Sequence, residues 1–147
     1  IHPDYGNNRQ LATVLGVTGA TPATADGLLW MGDLPAVQPA ADFAALVGER
    51  LGRPPMHVPV RDAPVRRVAW CTGAAQRFID RAAALGADLY LSGEVSEQTV
   101  HEARELGLDY IAAGHHATER YGVQALGAHL AGHFGVAHRF IDIDNPA

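Results

Sequence analysis

Cysteine is nearly absent from this 147-residue sequence, where Cys71 stands alone. A single thiol excludes an intrachain disulfide framework and fits a reducing compartment. No apolar run has the length of a membrane span and no segment reads as a leader, so the cytoplasm is the expected location. Basic residues are scarce beside acidic ones, 11 against 16, for a formal net charge of -5. No basic run exists to track a phosphate backbone, and nucleic acid is not indicated as a partner. A phosphate loop and a dinucleotide fingerprint are also missing, because Gly73 has no companion glycines at the needed spacing. The HExxH zinc motif is absent too: His101 and Glu102 are followed by Glu105 where the second histidine would stand.

What remains is the composition of a globular domain. Hydrophobic residues make up 48% and charged residues 18%, with 16 glycines and 9 prolines. The length suits one domain with a sizeable core. The first residue is Ile1, so processing or truncation is expected.

Residues 6–17 read as a short helix capped at Asn7 or Asn8, with Leu11, Val14 and Leu15 inward and Gly16 at its end. Residues 18–27 are turn-rich, Leu28 to Met31 is a short strand, and Pro35 and Pro39 bracket a loop. A helix follows over Ala40 to Leu51, then a brief edge strand from Met56 to Val60. Residues 25–64 read as a possible inserted subregion. From 65 onward the pattern is regular: strands at 65–71, 87–93, 108–114 and 136–143 alternate with helices at 76–85, 94–106 and from 115 to about 132. The expected fold class is α/β, a layered sandwich around a largely parallel or mixed sheet. Trp70 is expected in the core. For Trp30 and Met31 a core role competes with covering a pocket or a subunit contact. Cys71 reads as a packed small hydrophobe.

The chemistry concentrates at YIAAGHHATERYGVQ, residues 110–124. An apolar strand ends at Gly114, and a helix begins that carries His115, His116, Thr118 and Glu119. His115 and Glu119 are four residues apart, so on a helix they share one face and can close on one cation. The competing reading is a surface His–Glu contact worth about 0.2–0.5 kcal/mol. His116 points about a quarter-turn away and is the weaker ligand. Three strand ends share a form, CTG at 71–73, LSGE at 91–94 and AAGH at 112–115, and such an edge of an open parallel sheet is where ligands sit. Glu94, at the neighbouring strand end, is the candidate catalytic residue. It could ligate, act as a base towards water, or orient His115 through its second nitrogen. Its plainer reading is a carboxylate favoured by a helix dipole. His129, His133 and His138 lie too far along to join His115 and are assigned surface or interface roles.

The blocks GEVSEQTVHEA, AGHHATERYGVQAL and IDIDNPA, together with HPDYGNNRQLATVLG and RVAWCTGAAQRFIDRAAALGADLYLSGE, resemble the Nif-three-like dinuclear-metal family, also called GTP cyclohydrolase I type 2 homologues, and in particular its enterobacterial-type members. The resemblance covers essentially the whole chain. It implies a Nif-three-like fold and a two-metal centre in which the GH-x-x-TE block supplies His115 and Glu119. The centre's adjacent-histidine pair has no match here, and its aspartate would fall just ahead of Ile1, so the chain resembles the last three-fifths of a member. Glu94 stands where members carry an acidic residue beside the metals, and Gln98 where many carry a histidine. The resemblance further implies two divalent ions (zinc, iron, manganese or magnesium), a toroidal homohexamer, and a metal-dependent hydrolase acting on a nucleotide-like or other small substrate. A metal-stabilised oligomeric structural or interaction protein without turnover is the alternative. For this chain alone, partial metal occupancy and little catalysis are expected.

Overall fold

The computed structural model describes residues 1–145. Six strands form one open sheet in the order β1-β2-β4-β5-β6-β3. They are β1 (Thr18–Pro22), β2 (Trp30–Gln38), β3 (Met56–Val58), β4 (Val65–Cys71), β5 (Leu89–Ser92) and β6 (Asp109–Ala112). The helices are α1 (Asn7–Leu15), α2 (Ala40–Leu51), α3 (Ile79–Ala84, entered through a 3-10 turn at Gln76–Phe78), α4 (Glu97–Leu106) and α5 (His115–Phe134). Strands β4, β5 and β6 are parallel, and β1, β2 and β3 run antiparallel to their neighbours. The sheet is therefore mixed, with a parallel centre.

Alternation along the central strands builds two cores. Val68, Trp70, Leu89, Leu91 and Ile111 face a layer containing Leu11 and Leu15 of α1, Phe43 and Val47 of α2, and Ala117 of α5. Ala69, Cys71, Tyr90 and Tyr110 face the opposite way, onto Phe78, Ile79, Ala82 and Ala103 around α3 and α4. Strands covered on both faces must be apolar at both parities, which is why residues 68–71, 89–91 and 110–112 read as continuous hydrophobic runs. Trp70 and Trp30 are both buried in the first core, at 2% and 3% exposure. Cys71 lies in the second, and burial pushes its thiol pKa up to about 11.

Several expectations are corrected. The turn-rich stretch after Val17 pairs as β1 along the outer side of β2. Strand β2 continues through Pro35, where a loop was expected. Its pairing with β4 shifts between Asp33 and Gln38, so Pro35 sits in an irregular stretch that asks no ladder hydrogen bond of it. Helix α4 begins at Glu97 and not at Glu94, because Ser96 and Thr99 form a reciprocal capping box. Residues 136–143 form no strand: β3 already occupies the outer edge of β6, and the segment runs as irregular chain. Among the described residues no helix is long and apolar enough to cross a membrane.

One buried side chain ties α1 to the sheet edge that carries the site. Asn8 is 5% exposed. Its Nδ2 donates to the Leu28 carbonyl at 2.9 Å, and its Oδ1 accepts from the Thr72 backbone N–H at 3.0 Å. Its own carbonyl accepts from the Trp70 indole N–H at 3.0 Å. Truncating the side chain orphans both partners, at about 1–3 kcal/mol for a buried polar group left unpaired. Denaturant unfolding of Asn8→Ala is expected to show a loss in that range. Thr13→Ala, which removes an exposed hydroxyl, should stay near wild type, and equal losses in the two variants would contradict this role for Asn8.

Candidate metal centre

The carboxyl ends of the three parallel strands meet in a row of glycines. Gly93 N–H donates to the Gly73 carbonyl at 3.0 Å, and Gly114 N–H donates to the Gly93 carbonyl at 2.9 Å, extending the ladder past the strands proper. None of the three has room for a side chain. A Cβ on Gly73 would lie 2.5 Å from Glu119 Oε1 and 3.1 Å from His115 Nε2, and φ there is +68°. On Gly93 it would lie 2.9 Å from the His115 Cα, and on Gly114 2.5 Å from Arg53 Nη1. The first turn of α5 thus sits directly on the strand ends, with His115 and Glu119 over Gly73.

Two threonines hold this contact. The buried Thr118 accepts from the Gly73 N–H at 3.0 Å and donates to the His115 carbonyl at 2.9 Å. Thr72 Oγ1 donates to Glu119 Oε1 at 3.3 Å. Behind Glu94, the Tyr110 hydroxyl donates to the Glu94 carbonyl at 2.5 Å, and burial raises the phenol's pKa so that it stays a donor.

His115 lies between two carboxylates. Its Nδ1 is 2.7 Å from Glu94 Oε1, and its Nε2 is 3.2 Å from Glu119 Oε2. Glu94 stands in the β5–α4 loop, outside the helix, with its side chain turned to the second ring nitrogen. His116 points elsewhere, with Nε2 3.1 Å from Asp142 Oδ1. Gln98 is on the α4 surface, bonded to Glu102 at 2.8 Å. His129 pairs with the Tyr5 hydroxyl at 2.8 Å, well along α5. Glu94, His115 and Glu119 line a cleft of about 610 Å³ together with Phe140, Ile141 and Ile143 of the C-terminal segment.

The arrangement suits a cation. With Nδ1–H directed at Glu94, neutral His115 presents the Nε2 lone pair beside a carboxylate oxygen, the tautomer that metal-binding histidines adopt. Among the described residues no group of three or more His, Cys, Asp or Glu side chains is placed to hold a metal ion. Sequence reasoning does not find Thr72 and Asn8, because they reach the site across 47 and 64 residues of chain, in contacts to Glu119 and to Thr72 respectively. Thr118 is visible only as part of the GH-x-x-TE block.

Comparison with known proteins agrees with this architecture. Residues 1–146 match the family described as Duf34/NIF3 (NGG1p interacting factor 3). The chain belongs to the Duf34/NIF3 family. It is 56% identical over 147 residues to a GTP cyclohydrolase 1 type 2 homolog of Allochromatium vinosum, covering 99% of this chain and 58% of that protein. A solved structure titled protein ybgI, of unknown function, superposes with a TM-score of 0.94 at 48% identity, covering 99% of this chain and 59% of the other. TTHA1606 from Thermus thermophilus superposes with a TM-score of 0.85 at 32% identity, over 99% of this chain and 58% of that one. The chain thus spans less than three-fifths of the length of these relatives.

The hydrogen bond to Glu94 raises the His115 pKa above the ordinary histidine value of 6.5, against the next largest effect, burial, which lowers it; the charge of Glu119 adds a smaller rise. Because the folded value is the higher one, the stability these contacts give is fully present below the unfolded pKa and is lost as pH rises through the folded value. In the metal-free protein, an NMR titration of the His115 ring should find a midpoint above 6.5, and Glu94→Gln should lower it. Divalent-metal affinity should run the other way, rising with pH across the same interval, because the ligand must lose a proton. A His115 midpoint unchanged by Glu94→Gln would contradict the assigned contact.

Proposed function

We propose that the protein is a metal-dependent enzyme of the hydrolase type that acts on a nucleotide-like or other small substrate. In this reading His115 and Glu119 hold a divalent ion. The observation that carries it is the 3.2 Å approach of His115 Nε2 to Glu119 Oε2 over Gly73, with Nδ1 of the same ring engaged by Glu94. Both donor types suit zinc, iron or manganese, and the carboxylate suits magnesium. The pair is one part of a dinuclear centre. Its remaining donors would come from polypeptide beyond the 58% of the relatives' length that this chain represents.

When bound, such ions polarise a phosphoryl or carbonyl oxygen and lower the pKa of water. The chain's own residues do the rest. Glu94 holds the proton on His115 Nδ1 and fixes the ring. Its carboxylate, 42% exposed at the cleft, is also placed to accept a proton from a water or substrate group. Thr72 orients Glu119 through its hydroxyl, which donates to Oε1 at 3.3 Å. The relatives' name, GTP cyclohydrolase 1 type 2 homolog, is compatible with a purine nucleotide as substrate.

A second reading has its own observation. Val123, Leu126, Leu130 and Phe134 lie along α5 at 56%, 45%, 40% and 65% exposure, an apolar stripe that suits burial in a homo-oligomer, such as a hexamer. In that reading the metal stabilises the assembly without turnover. Metal analysis of the intact protein beside His115→Ala and Glu119→Ala separates the readings when paired with nucleotide-hydrolysis assays. The enzyme reading expects each variant to lose at least half of the bound metal and nearly all turnover. Full metal content in both variants would overturn the ligand assignment. Normal metal content in wild type, oligomers that dissociate on chelation and no turnover would favour the second reading.

A further inference from the structure

Beside the His115–Glu119 pair the chain places a second set of charged groups. Arg120 Nη1 is 3.0 Å from Asp142 Oδ2, and His116 Nε2 is 3.1 Å from Asp142 Oδ1, so one carboxylate is gripped at both oxygens. The guanidinium is fixed independently of that contact: its Nη2 donates to the Leu51 carbonyl at 2.7 Å. Arg53 lines the same cleft of about 520 Å³, packed against Gly114, as does a second acid, Asp144. His116 and Arg120 are also walls of the neighbouring cleft that contains Glu94, His115 and Glu119.

The segment bearing Asp142 is held lightly. Residues 135–145 form no regular structure, and Ile141 and Ile143 are 69% and 72% exposed. The Asp142 side chain is itself 48% exposed, where an ion pair is worth little net free energy. A carboxylate at the end of a weakly anchored strap, on a preset Arg and His and next to a candidate cation site, is in the position of an in-chain substitute for an external oxyanion. Phosphate suits the place better than a carboxylate does. It carries up to two charges and more acceptor oxygens, and the guanidinium can engage it through paired N–H groups.

We propose that His116, Arg120 and Arg53 form a phosphate-binding subsite, that Asp142 occupies it in the absence of ligand, and that a phosphate-bearing substrate displaces the 140–145 strap. Displacement removes both tail acids, Asp142 and Asp144, from one cleft and takes Phe140, Ile141 and Ile143 out of the lining of the cleft that contains Glu94. The substrate's phosphate then anchors on α5 one residue beyond each of the two candidate metal ligands. The orientation of the substrate towards those ligands rests on the proposed function; the anion site itself does not.

The test uses inorganic phosphate with the intact, chelator-treated protein, so that failure of the metal assignment leaves it unaffected. Phosphate affinity and backbone amide shifts would be measured by NMR, with acetate at matched ionic strength as the comparison anion. In wild type, phosphate should shift the amides of residues 116–120 and 140–145 more strongly than acetate does. Asp142→Asn should bind phosphate about tenfold more tightly, the gain expected if the strap occupies the site roughly 90% of the time. His116→Gln and Arg120→Gln should each weaken binding at least about fivefold while keeping the wild-type amide spectrum elsewhere. Two variants are used because Arg120 also anchors Leu51. Phosphate binding that Asp142→Asn leaves unchanged, or shifts that map away from residues 116–120, would overturn the proposal.

Discussion

Three backbones that cannot carry side chains fix the geometry of this protein. Gly73, Gly93 and Gly114 end three neighbouring parallel strands and hydrogen-bond to one another in sequence. The volume that a Cβ would fill at Gly73 is taken by the Glu119 carboxylate and the His115 ring. Helix α5 can therefore descend onto the sheet edge, and its first turn becomes the floor of a cleft. The edge is the crevice side of an open parallel sheet, where strand ends and helix starts converge on ligands. Both core layers serve this placement. The first seats α1, α2 and the start of α5, and the second carries the Tyr110 hydroxyl to the Glu94 carbonyl.

At that floor, electrostatics and packing point the same way. A histidine flanked by two carboxylates is stabilised as an imidazolium when no metal is present, which is the direction of its pKa. The same two carboxylates suit a cation at Nε2, because a metal ion replaces the proton with a larger positive charge. The His115, Glu94 and Glu119 side chains are each about two-fifths exposed, at 40%, 42% and 39%. The proton contacts therefore add little to global stability and are better understood as orienting a site than as holding a fold together. Folding rests instead on residues such as Phe43, Leu89 and Ile111, which are completely buried.

Much of this is legible in the sequence, for identifiable reasons. Helix α2 and strand β4 are expected at Ala40–Leu51 and Val65–Cys71, and the structure has them with those bounds. Each is a strong local pattern, closed by a left-handed glycine at Gly52 in one case and buried on both faces in the other. Strand β1 escapes a sequence reading because Thr-Gly-Ala-Thr-Pro has turn composition, and only the neighbouring β2 makes it a strand. The 136–143 segment misleads because alternating apolar residues look like a strand whether or not a sheet edge is free to receive them. At the site, the four-residue spacing of His115 and Glu119 shows that they share a face. Glu94 as a partner to the second ring nitrogen is one of several readings that spacing leaves open. The grip of His116 and Arg120 on Asp142, 26 and 22 residues away, depends on how an irregular segment folds back, and local pattern carries no record of that.

In the proposed function, the cleft over Gly73 receives a cation between one imidazole nitrogen and one carboxylate. Anomalous diffraction from crystals of the intact protein grown with manganese or zinc addresses it directly. The account predicts an anomalous peak at about 2.0–2.2 Å from both His115 Nε2 and a Glu119 oxygen, with Glu94 still bonded to Nδ1. Anomalous density elsewhere, with the His115–Glu119 contact intact and without metal, would contradict it.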